Sequence, residues 1–265
     1  MDLASITVDV RPMTRIAIVT QDDPFYMPLF FETLFENLEE SVEIEFLVLF
    51  QPFGEGTLAL ARRMYEFYGP LNFLKRGVQY AVRTVLNATG IRTYSVERLA
   101  RQHGVPVEHR TTVNDESFVD RLHDVDILLS AASPEIFDPE VLDAPTRGCL
   151  NVHTAALPKY RGMMPTFWAL YHGDNEVGVT IHTMTEGIDK GRAVRRGAFP
   201  VAPEDTLDDV IKRGKRLGGE LTAAALADVA NDSVSLEPIT GEESYFSFPS
   251  AADRRQLQQQ GRELL

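Results

Sequence analysis

The sequence contains very little cysteine and little lysine. Its 265 residues include one cysteine, which excludes a disulfide within the chain and a four-cysteine zinc site. Lysine occurs five times against 21 arginines, while aspartate and glutamate number 39 and give a net charge of −13. An acidic, lysine-poor composition is typical of proteins from a high-salt cytoplasm. It also argues against nucleic-acid binding, because the summed negative field repels phosphate.

Long apolar runs are missing as well. No stretch approaches the roughly 18 apolar residues that a membrane-spanning helix needs. The first residues, MDLASITVDVRPMT, lack the basic start and apolar run of a signal peptide. We therefore expect no stable membrane insertion and a cytoplasmic location. The remaining composition, 44% hydrophobic and 25% charged, is that of a globular protein with a sizeable core.

Short apolar segments separated by helical patterns predict the fold. Strands are predicted at 15–20, 42–50, 105–107, 126–130, 149–152 and 177–181. Helices are predicted at 95–103 and 115–122, and Thr206 with Asp209 three residues later predicts a capping box at the start of another helix. This alternation indicates an α/β fold built on a doubly wound, mostly parallel sheet.

The same pattern suggests boundaries along the chain. Residues 1–13 show no sustained periodicity and are predicted to be an N-terminal arm, followed by a main domain over 14–230 and a short C-terminal appendage over 231–265. Residues 58–93 interrupt the alternation with two helical stretches around Gly69-Pro70. We expect a helical insertion there.

The insertion at 58–93 differs from the rest of the chain in charge. It carries +5, which leaves −18 for all other residues, and it is rich in large apolar side chains. The simplest interpretation is that these apolar residues form the insertion's own core while its arginines are solvated. The alternatives are an oligomer contact, which makes the insertion the first candidate interface for a homodimer, a surface for an anionic substrate, and a peripheral membrane contact.

Residues with chemical function concentrate between 149 and 191. Asn151 and His153 alternate on one side of a strand's end, where an open parallel sheet surrounds its ligand crevice. Asp189 follows the next strand, so its carboxylate could return to the same crevice. An amide, an imidazole and a carboxylate suit transfer of an acyl-like carbon to an amine. The amide and a protonated imidazole can stabilise the oxyanion, and the carboxylate can hold the imidazole cationic or relay a proton.

A rival motif follows the second strand. Gly54-Glu-Gly56-Thr-Leu-Ala59 matches the Gly-x-Gly-x-x-Ala pattern of dinucleotide-binding loops. That pattern belongs after the first strand and needs an acidic residue at a strand end about 20 residues further on. Here the following residues are predicted to be helical, so the motif is weak support for a dinucleotide.

The region from 149 to 191 resembles the folate-dependent formyltransferases, which include glycinamide ribonucleotide transformylase, methionyl-tRNA formyltransferase and sugar N-formyltransferases. The resemblance rests on the segments Asn151-Val-His-Thr-Ala-Ala-Leu-Pro-Lys-Tyr-Arg-Gly162, Gly178-Val-Thr-Ile-His182 and Asp189-Lys-Gly191, with Pro165, Trp168 and Gly173 between them. It extends over roughly 14–230, and Ala155-Ala156 departs from the usual Ser-Leu. The resemblance implies a Rossmann-like fold and makes 14–230 the catalytic domain.

The resemblance also implies a reaction and a site. The family transfers a formyl group from 10-formyltetrahydrofolate, a co-substrate, to a primary amine without a metal, and Asn151, His153 and Asp189 would be the catalytic trio. The loops 131–137 and 184–189 match the family's pterin-binding loops. Folate contacts are accordingly expected from Ser133, Glu135, Ile136, Met184, Thr185, Glu186 and Gly187.

Two departures from the family pattern argue against particular acceptors. Asp22 and Asp23 stand where ribonucleotide transformylases carry a phosphate-binding loop, and two carboxylates there would repel the phosphate of a ribonucleotide. No basic C-terminal domain for tRNA is apparent, which argues against tRNA. Residues 244–254 resemble a Ser-Tyr-Phe…Pro…Asp stretch of amino-sugar formyltransferases. We therefore expect a nucleotide-linked amino sugar, whose phosphates the insertion or a basic group at 190–196 would bind. The basic group comprises Lys190, Arg192, Arg195 and Arg196, and the simpler interpretation is a solvated strand face.

Two other functions fit the same residues. A formyltetrahydrofolate deformylase would use the Asn, His and Asp set to direct water at the formyl carbon. A non-catalytic folate- or nucleotide-binding protein on the same fold would need none of the three, and their joint presence disfavours it.

Overall fold

The structure is a computed structural model that describes residues 13–52 and 56–265. The predicted N-terminal arm, apart from Met13, lies outside the described residues, as do Gly54 and Glu55 of the dinucleotide-type motif.

A seven-stranded sheet forms the centre of the molecule. Its strands are β1 (Thr14–Gln21), β2 (Val42–Phe50), β3 (Val107–His109), β4 (Ile127–Ala131), β5 (Cys149–His153), β7 (Glu176–Thr183) and β8 (Ala193–Pro200). They are ordered β3-β2-β1-β4-β5-β7-β8. The first five are mutually parallel, and β7 and β8 are each antiparallel to their neighbours. A separate pair joins β6 (Arg161–Gly162) to β9 (Tyr245–Phe246).

Helices flank the sheet. They are α1 (Met27–Asn37), α2 (Thr57–Thr89), α3 (Val96–Gln102), α4 (Glu116–Leu122), α5 (Pro139–Asp143), α6 (Pro165–Tyr171), α7 (Leu207–Ala230) and α8 (Ala251–Gln259). The predicted capping box at Thr206 and Asp209 is confirmed at the start of α7. Among the described residues, no helix combines the length and apolar character required to cross a membrane.

Successive residues of β1 face two different hydrophobic clusters. Ile16 and Ile18 pack with α1, α3 and α7, whereas Ala17 and Val19 pack with α4 and α5. Because both faces of the sheet are covered, the prediction of a doubly wound, mostly parallel α/β sheet is confirmed. A third cluster joins α6, the start of α7 and α8 to Phe67 of α2.

The insertion reverses the expected burial. Eight large apolar residues of α2 each expose half or more of their surface to solvent: Leu58, Tyr65, Leu71, Leu74, Val78, Tyr80, Val82 and Val85. The expectation that they form a core of their own is therefore wrong. A single helix, bent at Gly69 (φ +71°) where a break was predicted, has no second layer of its own to pack against.

Arg76 and Arg83 of α2 face the domain instead. Arg76 is 5% exposed, and its guanidinium donates to Asp208 and to the Tyr26 hydroxyl. Arg83 donates to the Pro24 carbonyl and lies over the Phe25 ring at 4.8 Å. The guanidinium groups of Arg76 and Arg83 thus hold α2 onto the end of the sheet where β1 finishes, and the apolar side of α2 is left in solvent.

Helices α1 and α7 pack with almost no gap at Gly219. A Cβ at Gly219 would lie 2.6 Å from the Phe30 carbonyl oxygen and 2.9 Å from Thr33 Cβ. At the neighbouring Gly218 the nearest atom, a Val152 methyl, would lie at an ordinary 3.4 Å.

Gly219→Ala should therefore lower the free energy of unfolding by about 1–3 kcal/mol, because backbone must move to admit the methyl group. Gly218→Ala, in the same helix, should be neutral or gain up to about 1 kcal/mol from helix propensity. Urea unfolding of both variants measures the difference. Equal stabilities would show that the two helices are not in close backbone contact.

Candidate active site

Asn151 and His153 lie at the end of β5 with their side chains on the same face. β7 runs antiparallel beside β5 and pairs His182 with Asn151, which brings a second imidazole to this face. The pairing of β7 with β8 shifts by one residue between Ile181 and His182. Bulges of this kind re-aim side chains near functional sites.

Asp189 reaches this face because the loop after β7 folds back. Since β7 is antiparallel, its end lies beside the start of β5, where the Met184 N–H donates to the Cys149 carbonyl at 2.8 Å. Asp189 has a φ of +52°, and Arg161 Nε donates to the neighbouring Ile188 carbonyl at 3.0 Å. The fold-back, and not the direction of the strand, carries the carboxylate to the site.

The Asp189 carboxylate is the centre of the site. Its Oδ1 lies 3.3 Å from Asn151 Nδ2, 3.6 Å from His153 Nδ1 and 3.5 Å from His182 Nε2. Its Oδ2 accepts a hydrogen bond of 2.8 Å from the Gly162 N–H. The structure thus brings together the three residues that the sequence singled out and adds His182.

Hydrogen-bond partners decide the orientation of the Asn151 amide. Asn151 Nδ2 lies 3.3 Å from Asp189 Oδ1, and of the two ends of an amide only the NH2 group can donate to a carboxylate. His182 Nε2 lies 3.2 Å from the same nitrogen, and His182 Nδ1 lies 2.9 Å from the Thr183 carbonyl oxygen. Asn151 Oδ1 has no partner among the described residues and can accept a hydrogen bond from a substrate amine, whereas the sequence suggested that this amide donates to an oxyanion.

His153 is oriented by a backbone carbonyl. Its Nε2 lies 2.8 Å from the Tyr160 carbonyl oxygen, to which it must donate. Burial lowers the pKa of His153, although the nearby Asp189 carboxylate opposes this shift. The imidazole is therefore neutral in the free protein, with an unprotonated Nδ1 facing Asp189, and not the cation that the sequence suggested.

Asp189 is ionised in spite of its burial. Desolvation raises the pKa of this carboxyl group, but the hydrogen bond with His182, the charge that His153 carries at acid pH and the Gly162 N–H outweigh desolvation and lower the pKa to about 2. A neutral base therefore stands beside a permanent negative charge.

Residues 87–226, more than half of the chain, match the family model described as formyl transferase. This chain belongs to the formyl transferase family.

Methionyl-tRNA formyltransferases are among the curated relatives of this chain. That of Hahella chejuensis is 37% identical over 144 residues, which cover 54% of this chain and 45% of the relative. That of Methylobacterium nodulans is 32% identical over 177 residues, which cover 62% of this chain and 57% of the relative. The chain spans about half the length of the curated relatives it matches.

Two solved structures illustrate the shared fold. Glycinamide ribonucleotide transformylase 1 from Symbiobacterium toebii has a TM-score of 0.61 and 17% identity, with 86% of this chain and 95% of that chain covered. The N-formyltransferase from Helicobacter canadensis, solved with folinic acid and dTDP-3-aminofucose, has a TM-score of 0.58 and 17% identity, with 92% of this chain and 79% of that chain covered. At these identities the likeness shows the Rossmann-like formyltransferase fold.

A C-terminal strap, residues 243–248, holds the loop after β5. Ser244 Oγ accepts from the Tyr160 N–H at 2.8 Å, and β9 pairs with β6. Phe246 stacks on Trp168 with 4.5 Å between ring centroids, so Trp168 serves packing here. The strap fixes the same Tyr160 backbone whose carbonyl orients His153.

The two loops predicted to contact folate border the site, but they differ in the hydrogen-bonding groups that they leave available to a ligand. The Glu135 carboxylate is occupied by the Thr112 hydroxyl and the Val113 N–H, both at 2.7 Å. Ser133 bonds within its own loop, whereas Ile136 is 65% exposed and Met184 is half-buried. In the described structure, the backbone N–H groups of Thr185, Glu186 and Gly187 donate to no protein acceptor. The second loop therefore offers backbone donors.

Lys215 was not predicted from the sequence. Its ammonium interacts electrostatically with His153 and Asp23, and burial lowers the pKa of Lys215 and raises that of Asp23. Within the described chain, Lys215 has no hydrogen-bond or ion-pair partner. Its place in the charged run from Lys212 to Arg216 resembles a solvated helix face, so no sequence signal marked it.

The low pKa of Asp189 predicts an acid-sensitive stability. Its folded pKa of about 2 lies below its ordinary value of 3.8, so its contribution is complete above pH 4 and is lost as the pH falls toward 2. About 1 kcal/mol should disappear between pH 5 and pH 3. Asp189→Asn should lose this part of the pH dependence in urea unfolding.

Glu186→Gln, on the exposed part of the same loop, is the matched control and should keep the wild-type slope. An unchanged slope in Asp189→Asn would contradict the buried, ionised carboxylate.

Proposed function

We propose that the chain transfers a formyl group from 10-formyltetrahydrofolate to the primary amine of a small acceptor, a nucleotide-linked amino sugar. The observation that carries the proposal is the convergence of Asn151, His153 and Asp189 at the end of β5, with Asp189 Oδ1 3.3 Å from the amide and 3.6 Å from the imidazole. Membership of the formyl transferase family supports the same reaction.

The groups at the site account for each proton. The amine nitrogen attacks the formyl carbon, a bond forms between them, and the bond from this carbon to folate N10 breaks. Asn151 Oδ1 accepts a hydrogen bond from the attacking amine. His153 Nδ1 takes the proton that the amine loses and passes it to N10, which leaves as an N–H.

The electrostatics suit a base of this kind. Burial keeps His153 neutral before the reaction, and Asp189 stabilises the imidazolium once it forms. Because Asp189 has a pKa of about 2, it stays ionised and acts as a fixed charge.

The folate would lie between the loops 131–137 and 184–189. The unused N–H groups of Thr185, Glu186 and Gly187 suit the acceptors of a pterin ring, and the exposed Ile136 offers an apolar contact. The bound Glu135 carboxylate would support its loop, with its contact to folate made through the backbone.

Two observations support an amino-sugar acceptor. The strap residues Ser244 to Phe246, which resemble those of amino-sugar formyltransferases, pack directly on the catalytic loop. Lys215 offers a positive charge near His153 for a phosphate. Arg195 is less suitable because Asp228 holds it at 2.5 Å and 2.7 Å, and Arg192 donates to the Leu236 carbonyl.

Incubation with 10-formyltetrahydrofolate tests the reaction. Release of tetrahydrofolate together with a formylated amine, and none without an amine, is the expected result. His153→Ala and Asp189→Asn should each lower turnover by about 10²–10⁴-fold while remaining folded. His123→Ala, an exposed histidine at the end of α4, is the matched control and should keep the wild-type rate.

The alternatives give different results in the same assay. Release of folate without an amine would indicate a deformylase, and the absence of release with every amine tested would indicate a binding protein. Wild-type turnover in both site variants would contradict the proposed mechanism.

Substitution of Lys215 tests whether the acceptor carries a phosphate that this residue binds. Lys215→Met should raise the KM for a nucleotide-linked amino sugar about tenfold or more, equivalent to about 1.4 kcal/mol of lost binding, and leave the KM for the folate unchanged. Arg216→Met, the exposed neighbour on α7, is the control. An equal effect of both variants, or a rise in the folate KM alone, would exclude Lys215 as an acceptor contact.

A further inference from the structure

The outer side of α2 carries a narrow apolar stripe. After the bend at Gly69, five aliphatic side chains of α2 each expose more than half of their surface: Leu71, Leu74, Val78, Val82 and Val85. At 100° per residue, these positions fall within an arc of roughly 80° and extend over about 21 Å of helix. Arg76 and Arg83 lie on the opposite side, against the domain.

The stripe is unusual for the surface of this protein. The chain carries −13, yet the five positions and the small residues beside them, Gly77, Ala81 and Ala88, are uncharged. Lys75 is the one charged residue that borders the stripe. A contiguous uncharged apolar surface of this kind on an acidic protein marks a contact site.

The spacing of the stripe is symmetric. Its residues follow one another at intervals of three, four, four and three, with Val78 at the centre. If two copies of this helix pack antiparallel about a twofold axis at Val78, Leu71 meets Val85 and Leu74 meets Val82. A twofold contact requires this self-complementarity, and Gly77 and Ala81 permit close approach of the backbones.

We propose that the second half of α2 is a homodimer interface, in which it packs antiparallel against α2 of a second copy. The five-residue stripe is its centre. Val78 meets its symmetry mate, and the large exposed side chains shield one another from water.

Charge favours a second copy over a lipid surface. Arg76 and Arg83, the two arginines in this half of α2, are turned toward the domain, and the chain as a whole carries −13. Two such chains repel each other at low salt, so dimerisation should strengthen as salt screens that repulsion. Binding to an anionic membrane would instead weaken with salt.

Introduced cysteines test the geometry directly. Cys149 is buried and leaves the background low. Val78→Cys should cross-link to itself on mild oxidation. Leu74→Cys and Val82→Cys should cross-link at least tenfold faster when mixed than when either is alone. Leu58→Cys, 86% exposed on the same helix but off the stripe, should stay monomeric.

Molar mass in solution is the second measurement. Wild type should approach twice the 29.7 kDa of one chain, with a larger dimer fraction at 0.5 M than at 0.05 M salt. Val78→Glu should be monomeric, and Leu58→Glu should dimerise like wild type. A monomeric wild type, equal cross-linking of Leu58→Cys and Val78→Cys, or salt-sensitive binding to anionic vesicles that Val78→Glu abolishes would overturn the proposal.

Discussion

The buried carboxylate of Asp189 is the interaction on which the site depends. It joins β5 through Asn151, β7 through His182 and the end of β6 through the Gly162 N–H. An unpaired charge in such a position would be strongly destabilising, so the carboxylate and its donors must be present together. The same contacts that make the charge tolerable also fix where the amide and the imidazole point.

A second chain of contacts links this centre to the C-terminal strap. His153 donates to the Tyr160 carbonyl, the Tyr160 N–H donates to Ser244, and the Ser244 N–H returns to the Pro158 carbonyl at 3.2 Å. Gly162 admits the strap because a Cβ there would lie 2.3 Å from the Phe246 carbonyl oxygen. A segment outside the α/β domain is thus part of the support of the imidazole.

Local signals in the sequence predicted the sheet, and a motif spread along the chain predicted the site, whereas tertiary context decided the rest. The capping box at Thr206 depends on neighbouring residues, while Asn151 and Asp189 are 38 residues apart; both features are found in the structure. The strand expected at 105–107 lies instead at 107–109, since Pro106 has no N–H for the ladder. The antiparallel direction of β7 and the burial of α2 arise from packing against distant elements.

The scarcity of lysine has a structural side that composition alone does not show. Arg76 stacks over Phe25 at 4.5 Å and also bonds Asp208, Tyr26 and Gln79. A planar guanidinium with five donors can do both, and an ammonium cannot. Lys215 is the contrast, since it lies beside the site without a fixed partner. A compact ammonium without a fixed partner suits the proposed contact with a ligand's phosphate, whereas the guanidinium of Arg76 supports the fold.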